Sequence, residues 1–331
     1  MCHATERWRT MTSPEFEHRP VMLGEIVEIF APVPPGWVLD ATLGGAGHAV
    51  ALLEAHPHLR VLGIDRDGDA IAAARQRLAA FGDRAATAHL RFDDLDDAMK
   101  AISIDHLSGA LFDLGVSSPQ LDLAPRGFSY RQDAPLDMRM DQREPWTASD
   151  IVNGYDEITL GQVIRRHGDE RFAVRIARAI VAARPIESTA QLAEVIVAAI
   201  PAAARRTGGH PAKRTFQALR IELNRELEVL PAAIDRAIER TAVGGRIAVL
   251  SYHSGEDRIV KERMRLAATG GCTCPPELPC VCDAVQIVRV VRNIARTPSA
   301  EEQAANPRAR SARLRVVERI EPVSRNDASR R

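Results

Sequence analysis

The chain has 331 residues, of which 45% are hydrophobic and 27% are charged. This composition is typical of a globular protein of about two domains and excludes a disordered or fibrous chain. Basic and acidic residues both number 44, so the formal net charge is zero. Neutrality counts against a nucleic-acid binder. Only three of the basic residues are lysines, however, and arginine both stacks on bases and pairs with phosphate.

The ends of the chain and its cysteines indicate the cellular compartment. Met1–Thr12 is charged and has no apolar centre, so it is not a signal peptide, and residues 1–17 are predicted to be a disordered extension. No run of about 18 apolar residues is present, which excludes a membrane-spanning helix. Four of the five cysteines lie within Cys272–Cys282. We therefore expect a cytoplasmic protein with reduced thiols and no membrane contact.

The first third of the chain alternates short apolar runs with helical segments. This alternation is typical of a parallel, doubly wound α/β sheet. The predicted strands are Trp37–Ala41, Arg60–Ile64, Ala86–Phe92 and Ser108–Asp113, and an alanine-rich helix is predicted at Asp69–Phe81.

The alternation stops after the fourth strand and resumes a hundred residues later. Residues 121–220 show helical patterns and no convincing strand, and a strand follows at Gly245–Ser251, with further strands at Ala284–Val291 and Ala312–Ile320. We therefore predict a Rossmann-like domain at 18–120 and 221–321, interrupted by an inserted all-helical domain at 121–220. Residues 322–331 are expected to be a flexible tail.

A glycine-rich turn, Leu43–His48, follows the first predicted strand. Such a turn lets a ligand approach the backbone, and Asp65, at the end of the second strand, can accept hydrogen bonds from ribose hydroxyls. The pattern suits a dinucleotide or S-adenosylmethionine, and a tight turn without a ligand is the alternative. Val50 stands where the dinucleotide pattern has glycine, which disfavours a dehydrogenase. Asp40, which ends the first strand, is either a further cofactor-side residue or a capping residue.

Eight segments in order make the sequence resemble one family, the bacterial 16S ribosomal RNA cytosine-N4 methyltransferases (RsmH, also MraW). The resemblance covers roughly residues 18 to 321. The segments are His18–Met22 (HRPVM), Asp40–His48 (DATLGGAGH), Asp113–Asp122 (DLGVSSPQLD), Arg126–Tyr130 (RGFSY), Pro135–Asp141 (PLDMRMD), His210–Arg220 (HPAKRTFQALR), Ser251–Arg258 (SYHSGEDR) and Asn306–Arg315 (NPRARSARLR).

The resemblance implies a class I S-adenosylmethionine-dependent methyltransferase that modifies the exocyclic amine of a decoding-centre (P-site) cytidine in 16S rRNA of the small ribosomal subunit. It also implies that the helical insertion recognises the substrate. A homodimer is left open. The cofactor contacts that it implies are Ala46, Gly47, His48, Asp65, Phe92, Asp113 and Gln120.

The residues after the fourth strand are the candidates for the methyl-transfer chemistry. The cytosine amine is a poor nucleophile, and an enzyme assists by accepting its hydrogens and aligning it with the methyl group. We predict that Asp113 lies closest to the transfer, with Ser117 or Ser118 as additional acceptors. The alternative is that Asp113 binds only the amino-acid end of the cofactor. His253 is predicted either to act at the site or to cap the following helix.

Two arginine-rich segments are the candidate contacts for RNA phosphates, with a solvated surface as the alternative. The residues concerned are Arg205, Arg206, Lys213, Arg214, Arg220, Arg308 and Arg310.

The cysteine cluster is a candidate zinc site. Cys272, Cys274, Cys280 and Cys282 offer four thiolates from one proline-rich loop, although the Cys-x-Cys spacing is tighter than that of most zinc sites. Reduced or redox-labile thiols are the alternative.

Three other functions remain open on the sequence alone. The first is a methyltransferase acting on DNA or on a small-molecule amine, and the second is the disfavoured NAD-dependent oxidoreductase. The third is a non-catalytic RNA-binding factor for ribosome assembly.

Overall fold

The computed structural model describes residues 20–206, 209–275 and 281–324, and of Ser118, Pro119 and Arg206 the backbone alone. The strands are β1 (Gly36–Asp40), β2 (Leu59–Asp65), β3 (Ala85–His89), β4 (Leu107–Asp113), β5 (Thr241–Ser251), β6 (Val285–Val290) and β7 (Arg313–Ser324). The helices are α1 (Leu23–Phe30), α2 (Gly47–Ala55), α3 (Gly68–Leu78), α4 (Leu95–Ala101), α5 (Ser118–Asp122), α6 (Ala148–Gly154), α7 (Glu157–Gly168), α8 (Ala173–Ala182), α9 (Thr189–Ala199), α10 (Lys213–Asn224), α11 (Glu226–Arg240), α12 (Ser254–Thr269) and α13 (Ala300–Ala305).

The strands form one mixed sheet in the order β3-β2-β1-β4-β5-β7-β6. Pairing is parallel from β3 to β5, whereas β7 runs antiparallel to both β5 and β6. The doubly wound α/β sheet predicted from the sequence is therefore confirmed. The antiparallel edge was not foreseen, because strand direction is not visible in local periodicity.

Helices cover both faces of the sheet, which explains why the central strands are apolar throughout. Six of the seven residues of β4 are buried. One face packs on α1, α2 and α3 through residues such as Phe30 and Leu52. The other packs on α4, α11 and α12 through residues such as Leu95 and Ile234. In the central strands β1 and β4, the acidic side chains lie at the strand ends, because the middle of each strand is buried between the two helical layers.

A third apolar core lies in the helical segment between β4 and β5. Ile164 of α7, Ile176 of α8, Ile196 of α9 and Phe216 of α10 are buried together there. Each of these helices contributes one apolar stripe, which a neighbouring helix covers.

A helix runs through each of the two predicted domain boundaries. The boundary after residue 120 falls inside α5, and the boundary at 221 falls inside α10. Helix α10 carries Phe216 and Leu219 into the core of the insertion and ends only at Arg225, which takes a left-handed conformation with φ 52°. The return to the sheet therefore comes at residue 225.

The predicted C-terminal tail begins too early. Strand β7 continues to Ser324, which pairs with Val285 of β6, so residues 322–324 belong to the sheet. The extension predicted at 1–17 and the rest of the tail lie outside the described residues. Among the described helices, none is both long and apolar enough to cross a membrane.

Candidate active site

Three parallel strands end on an aspartate at the same edge of the sheet. Asp40, Asp65 and Asp113 are the last residues of β1, β2 and β4. Strand β1 lies between the other two and pairs in parallel with both. Ligands of such sheets bind outside the carboxyl ends of the strands, so this edge is the candidate active site.

The glycine turn after β1 is tied to the end of β2. Gly44 and Ala46 have positive φ angles of 49° and 61°, and the Gly44 N–H donates to Asp65 Oδ2 at 2.8 Å. A Cβ on Gly47 would lie 2.3 Å from Pro20 Cγ, so the close approach requires glycine there. Ala46 is fully buried, backbone included, so in this structure it supports the shape of the turn.

Asp65 has the geometry of a ribose acceptor. Its Oδ1 accepts the Asp67 N–H at 2.9 Å, and its Oδ2 accepts the Gly44 N–H. Burial raises the pKa of this carboxyl above its ordinary value, against the lowering effect of the two N–H donors. A carboxylate offers about four lone-pair positions, so each oxygen keeps one for a hydroxyl of a ligand.

Phe92 lies in a short turn after β3, at the edge of the sheet where Asp65 ends β2. It is half-buried and meets Phe112 edge to face, with 5.9 Å between the ring centres. The contact with Phe112 holds the ring in place, and its exposed part can stack on an adenine. Together with Asp65 and the glycine turn, it fits the nucleoside part of S-adenosylmethionine.

Asp113 makes hydrogen bonds with two neighbouring side chains, and a third lies close to its carboxylate. Its N–H donates to Thr42 Oγ1 at 2.6 Å, and its Oδ1 accepts the Tyr252 hydroxyl at 2.6 Å. His48 Nε2 contacts the Val21 carbonyl oxygen at 3.0 Å, which requires a proton on Nε2, and His48 Nδ1 lies 3.7 Å from Asp113 Oδ2. The side chain of Asp113 is 25% exposed, so the oriented carboxylate remains accessible to a substrate.

Tyr252 follows β5, the neighbour of β4, and was not among the site residues predicted from the sequence. Burial, and then the charge of Asp113, raise the pKa of Tyr252 well above the ordinary value. The hydroxyl therefore stays protonated and donates a hydrogen bond to the carboxylate. Its position directly after a predicted strand was the signal in the sequence. The choice of partner was not visible there, since Asp113 lies 139 residues away.

Gln120 and Ser117 belong to a network that holds the loop after β4. Gln120 Oε1 accepts the Ser117 N–H at 3.1 Å, and Gln120 Nε2 donates to Asp67 Oδ2 at 2.9 Å. Arg126 Nη2 contacts the same Asp67 oxygen at 2.9 Å. Gln120 therefore stabilises the loop through its side-chain amide. For the predicted cofactor contact, only the hydrogen-bonding positions that these two bonds do not use remain. The side chain of Ser118 lies outside what the structure describes.

Asp40 lies beneath the site. It is 2% exposed, and its Oδ1 accepts the Thr42 N–H at 3.3 Å. Burial is the main cause that raises its pKa from the ordinary value of 3.8 to about 7, with the charges of Asp113 and Asp65 adding to the effect. Asp40 does not cap α2, whose N-cap is Ala46; its buried carboxyl instead supports the turn that precedes Leu43.

Replacing Asp40 with asparagine should change how stability depends on pH. The folded chain binds the Asp40 proton more tightly than the unfolded chain, so the protonated carboxyl stabilises the fold. This stabilisation is fully present below about pH 4 and is lost as pH rises through about 7. Asparagine does not titrate, so the variant does not lose this stabilisation as the pH rises. Its free energy of unfolding should therefore gain on that of the wild type by up to about 1.4 kcal/mol per pH unit across this window. Urea denaturation at several pH values measures the difference. The exposed Asp105→Asn is the control, and a difference independent of pH would contradict the assignment.

His253 serves as the N-cap of α12. Its Nδ1 accepts the N–H groups of Gly255 and Glu256 at 3.2 and 3.4 Å, and Glu256 in turn accepts the N–H groups of Tyr252 and His253. Nε2 is buried, 3.1 Å from Glu256 Oε1 without the alignment of a hydrogen bond. The geometry therefore favours the capping alternative over direct catalysis, and the ring positions the segment that carries Tyr252.

The predicted RNA-contacting residues do not share one environment. The geometry disfavours Arg220 as an RNA contact, because its side chain is 14% exposed and makes two hydrogen bonds, of 2.8 and 2.9 Å, to Glu226. Arg205, Lys213 and Arg214 lie on the exposed surface of the insertion. The side chain of Arg206 is outside the described part of the chain.

The two predicted C-terminal arginines lie close to the sheet edge. Arg308 Nη2 donates to Asp122 Oδ1 at 2.7 Å and is 40% exposed, and Arg310 Nε donates to the Gln303 carbonyl oxygen at 3.2 Å. The Arg308 contact joins the C-terminal segment to α5, next to the loop that carries Ser117.

A cleft of about 280 Å³ lies where the insertion meets the end of β3, and sequence reasoning missed it. Its lining includes Arg66, Arg91, Arg139, Arg143 and Trp146. The indole of Trp146 is 57% exposed. An exposed indole among arginines suits stacking on a base beside phosphates. The lining comes from four separate parts of the chain, so no single motif could have indicated it.

The cysteine loop brings three of its four thiols together. The Sγ atoms of Cys272, Cys274 and Cys282 all lie within 4.8 Å of one another. Cys280 lies outside the described residues.

Comparison with known proteins identifies the family. The model of the MraW methylase family matches residues 15–320. A protein of Thermobifida fusca named ribosomal RNA small subunit methyltransferase H is 52% identical over 314 residues, which cover 93% of this chain and 94% of that protein. One of the same name from Kocuria rhizophila is 49% identical over 324 residues, covering 96% and 98%. An rRNA methylase structure from Streptococcus thermophilus aligns at 12% identity over 90% of this chain and 94% of that one, with a TM-score of 0.38. From the span of the family match and the identity to these relatives, the chain belongs to the MraW methylase family.

Proposed function

We propose that the protein transfers the methyl group of S-adenosylmethionine to the N4 amine of a cytidine in the P-site region of 16S rRNA, within the small ribosomal subunit. The observation that carries the proposal is the accessible carboxylate of Asp113, held by Tyr252 beside the glycine turn. The names of the relatives support an rRNA substrate. A ribosomal substrate also implies a cytoplasmic location.

The cofactor would be held by the chain at three points. The backbone of Gly44–Gly47 lines one side, the Asp65 carboxylate accepts the ribose hydroxyls, and Phe92 packs on the adenine. When bound, S-adenosylmethionine supplies an electrophilic methyl group on a sulfonium. The donor set fits this cationic ligand, since the edge of the sheet presents the carboxylates of Asp65 and Asp113.

Asp113 would activate the amine rather than deprotonate it beforehand. The N4 lone pair is delocalised into the ring, and acceptance of an N–H hydrogen by Asp113 draws the nitrogen towards a nucleophilic geometry. Tyr252 donates to Oδ1, and the partly exposed carboxylate would face the amine. The Ser117 hydroxyl and the backbone carbonyls of the same loop are further acceptors. After transfer, the methylated amine carries an extra proton, which Asp113 can take up.

RNA binding would use both parts of the chain. The target cytidine must leave its stack before it reaches the sheet edge. The cleft with Trp146 and its arginines lies beside that edge, and the exposed side chains of Lys213, Arg214 and Arg308 offer positive charge elsewhere on the surface. Several of the cleft arginines pair with acids, as Arg139 does with Asp137. We therefore expect weak binding to loose RNA, with the shape of the ribosomal particle providing much of the recognition.

The proposal is tested by offering labelled S-adenosylmethionine with naked 16S rRNA, assembled small subunits and DNA of the same sequence. We expect label in the small subunits, at N4 of one cytidine, with less in naked rRNA and none in DNA. Mass spectrometry of nuclease digests identifies the modified base and atom. Label in DNA alone would overturn the rRNA substrate. Cofactor binding without transfer to any substrate would instead indicate a non-catalytic assembly factor.

A further inference from the structure

The loop between α12 and β6 has a geometry that the methyl-transfer site does not explain. Helix α12 ends at Gly270 and Gly271, which both take left-handed conformations with φ 60° and 73°. The Cys272 N–H donates to the Thr269 carbonyl oxygen at 3.1 Å, so the chain reverses directly before the first cysteine of the loop.

The two ends of this loop are in contact. A Cβ on Gly270 would lie 2.4 Å from the backbone nitrogen of Val285, the first residue of β6. Cys272 and Cys274 follow the first end closely, and Cys282 precedes the second by three residues. Tertiary packing of α12 on β6 therefore brings together thiols that are eight to ten residues apart in the sequence.

The sulfur positions match the needs of a thiolate-bound metal ion. All three Sγ atoms lie within 4.8 Å of one another. Tetrahedral zinc with Zn–S bonds of about 2.3 Å places its sulfur ligands about 3.8 Å apart, so a small contraction brings the three onto one ion. Among divalent ions, zinc combines a preference for thiolate with tolerance of this geometry. Cys272 and Cys282 are not deeply buried, and an ion can reach them from solvent.

We propose that Cys272, Cys274 and Cys282 bind one Zn²⁺ ion that clamps the end of α12 to the start of β6. The ion is structural. It lies at the far end of α12 from His253 and takes no part in methyl transfer. The fourth thiolate predicted from the sequence, Cys280, is outside the described residues, and the proposal rests on the other three.

Metal analysis of the untagged full-length protein, purified without chelator under reducing conditions, tests the site. We expect about one zinc per chain in the wild type, falling below about a tenth in Cys274→Ser. The matched control is Cys2→Ser, which changes the one cysteine outside this loop. This variant should bind as much zinc as the wild type. Retention of zinc by Cys274→Ser would overturn the assigned ligands. A wild type that holds no zinc, even after reduction and incubation with Zn²⁺, would overturn the site and leave redox-labile thiols as its chemistry.

Two measurements on the wild type keep the test decisive if Cys274→Ser does not fold. Chelation should lower the Tm by about 5–10 °C, and added Zn²⁺ should restore it. Replacement by Co²⁺ should produce the absorption of a tetrahedral thiolate complex, including charge-transfer bands from sulfur. An unchanged Tm together with a spectrum of hydrated Co²⁺ would contradict the proposal.

Discussion

Replacing Asp113 with alanine or asparagine is expected to lower kcat for methyl transfer by a factor of about 10²–10⁴ while the fold stays intact. Both changes remove the carboxylate that we propose faces the amine. Asparagine keeps the shape of the side chain and an oxygen for the Tyr252 hydroxyl, so its effect isolates the charge. Single-turnover rates with saturating cofactor and small subunits measure the loss, and circular dichroism checks the fold. A turnover near that of the wild type would refute the role.

The same variants separate the two roles that the sequence left open for Asp113. If the carboxylate binds only the amino-acid end of the cofactor, the substitution raises the KM for S-adenosylmethionine and leaves kcat at saturation nearly unchanged. If it accepts the amine, kcat falls at saturation. Tyr252→Phe is the graded comparison, because it keeps the carboxylate and removes one hydrogen bond of 2.6 Å. We expect about a 10-fold loss of kcat there.

Arg126→Met should destabilise the fold strongly. The guanidinium is 7% exposed and contacts Asp67, which is 4% exposed, as well as the carbonyl oxygens of Arg139 and Met140. Methionine fills much of the same space but leaves the Asp67 carboxylate buried without its cation. Breaking a buried pair in this way costs about 3–5 kcal/mol. Urea denaturation followed by circular dichroism measures the free energy of unfolding.

The control for Arg126→Met is Arg143→Met. Arg143 also pairs with an aspartate, Asp141, but its side chain is 60% exposed. We expect the control to cost less than about 1 kcal/mol, because solvent screens an exposed pair. A second change, Asp67→Asn, removes the buried charge that Arg126→Met leaves without a partner cation. In that background it should recover part of the lost free energy of unfolding. Equal losses for the two methionine variants would contradict the burial argument.

Arg126 connects the stability of the fold to the geometry of the site. It lies at the start of the insertion and reaches back to Asp67, which follows β2 and caps α3. Asp67 also holds Gln120, and Gln120 holds the Ser117 backbone. The loop that would contact the amine is therefore fastened to the sheet through a buried ion pair. A functional loop supported in this way keeps its shape without being buried itself.

The sequence by itself determined the sheet and the edge where the site lies. The apolar runs that end at Asp40, Asp65 and Asp113, and the glycine turn between the first two, are local patterns, and they depend only on strand and helix periodicity. The order and direction of the last strands were not determined, because β7 pairs with residues far away in the chain. The two predicted domain boundaries each fall inside a helix, since helical periodicity continues through both of them.

Only the tertiary structure decided what the polar side chains do. Arg220 and Lys213 belong to the same basic segment, yet Arg220 turns inward to Glu226 while Lys213 is exposed. Asp40 and Asp113 both end strands, yet burial leaves only Asp113 accessible. The meeting of Tyr252 with Asp113, and of Cys282 with Cys272, depends on which elements pack side by side. A residue type fixes the chemistry that a side chain can perform. Its partner and its exposure come from long-range packing, which no local pattern records.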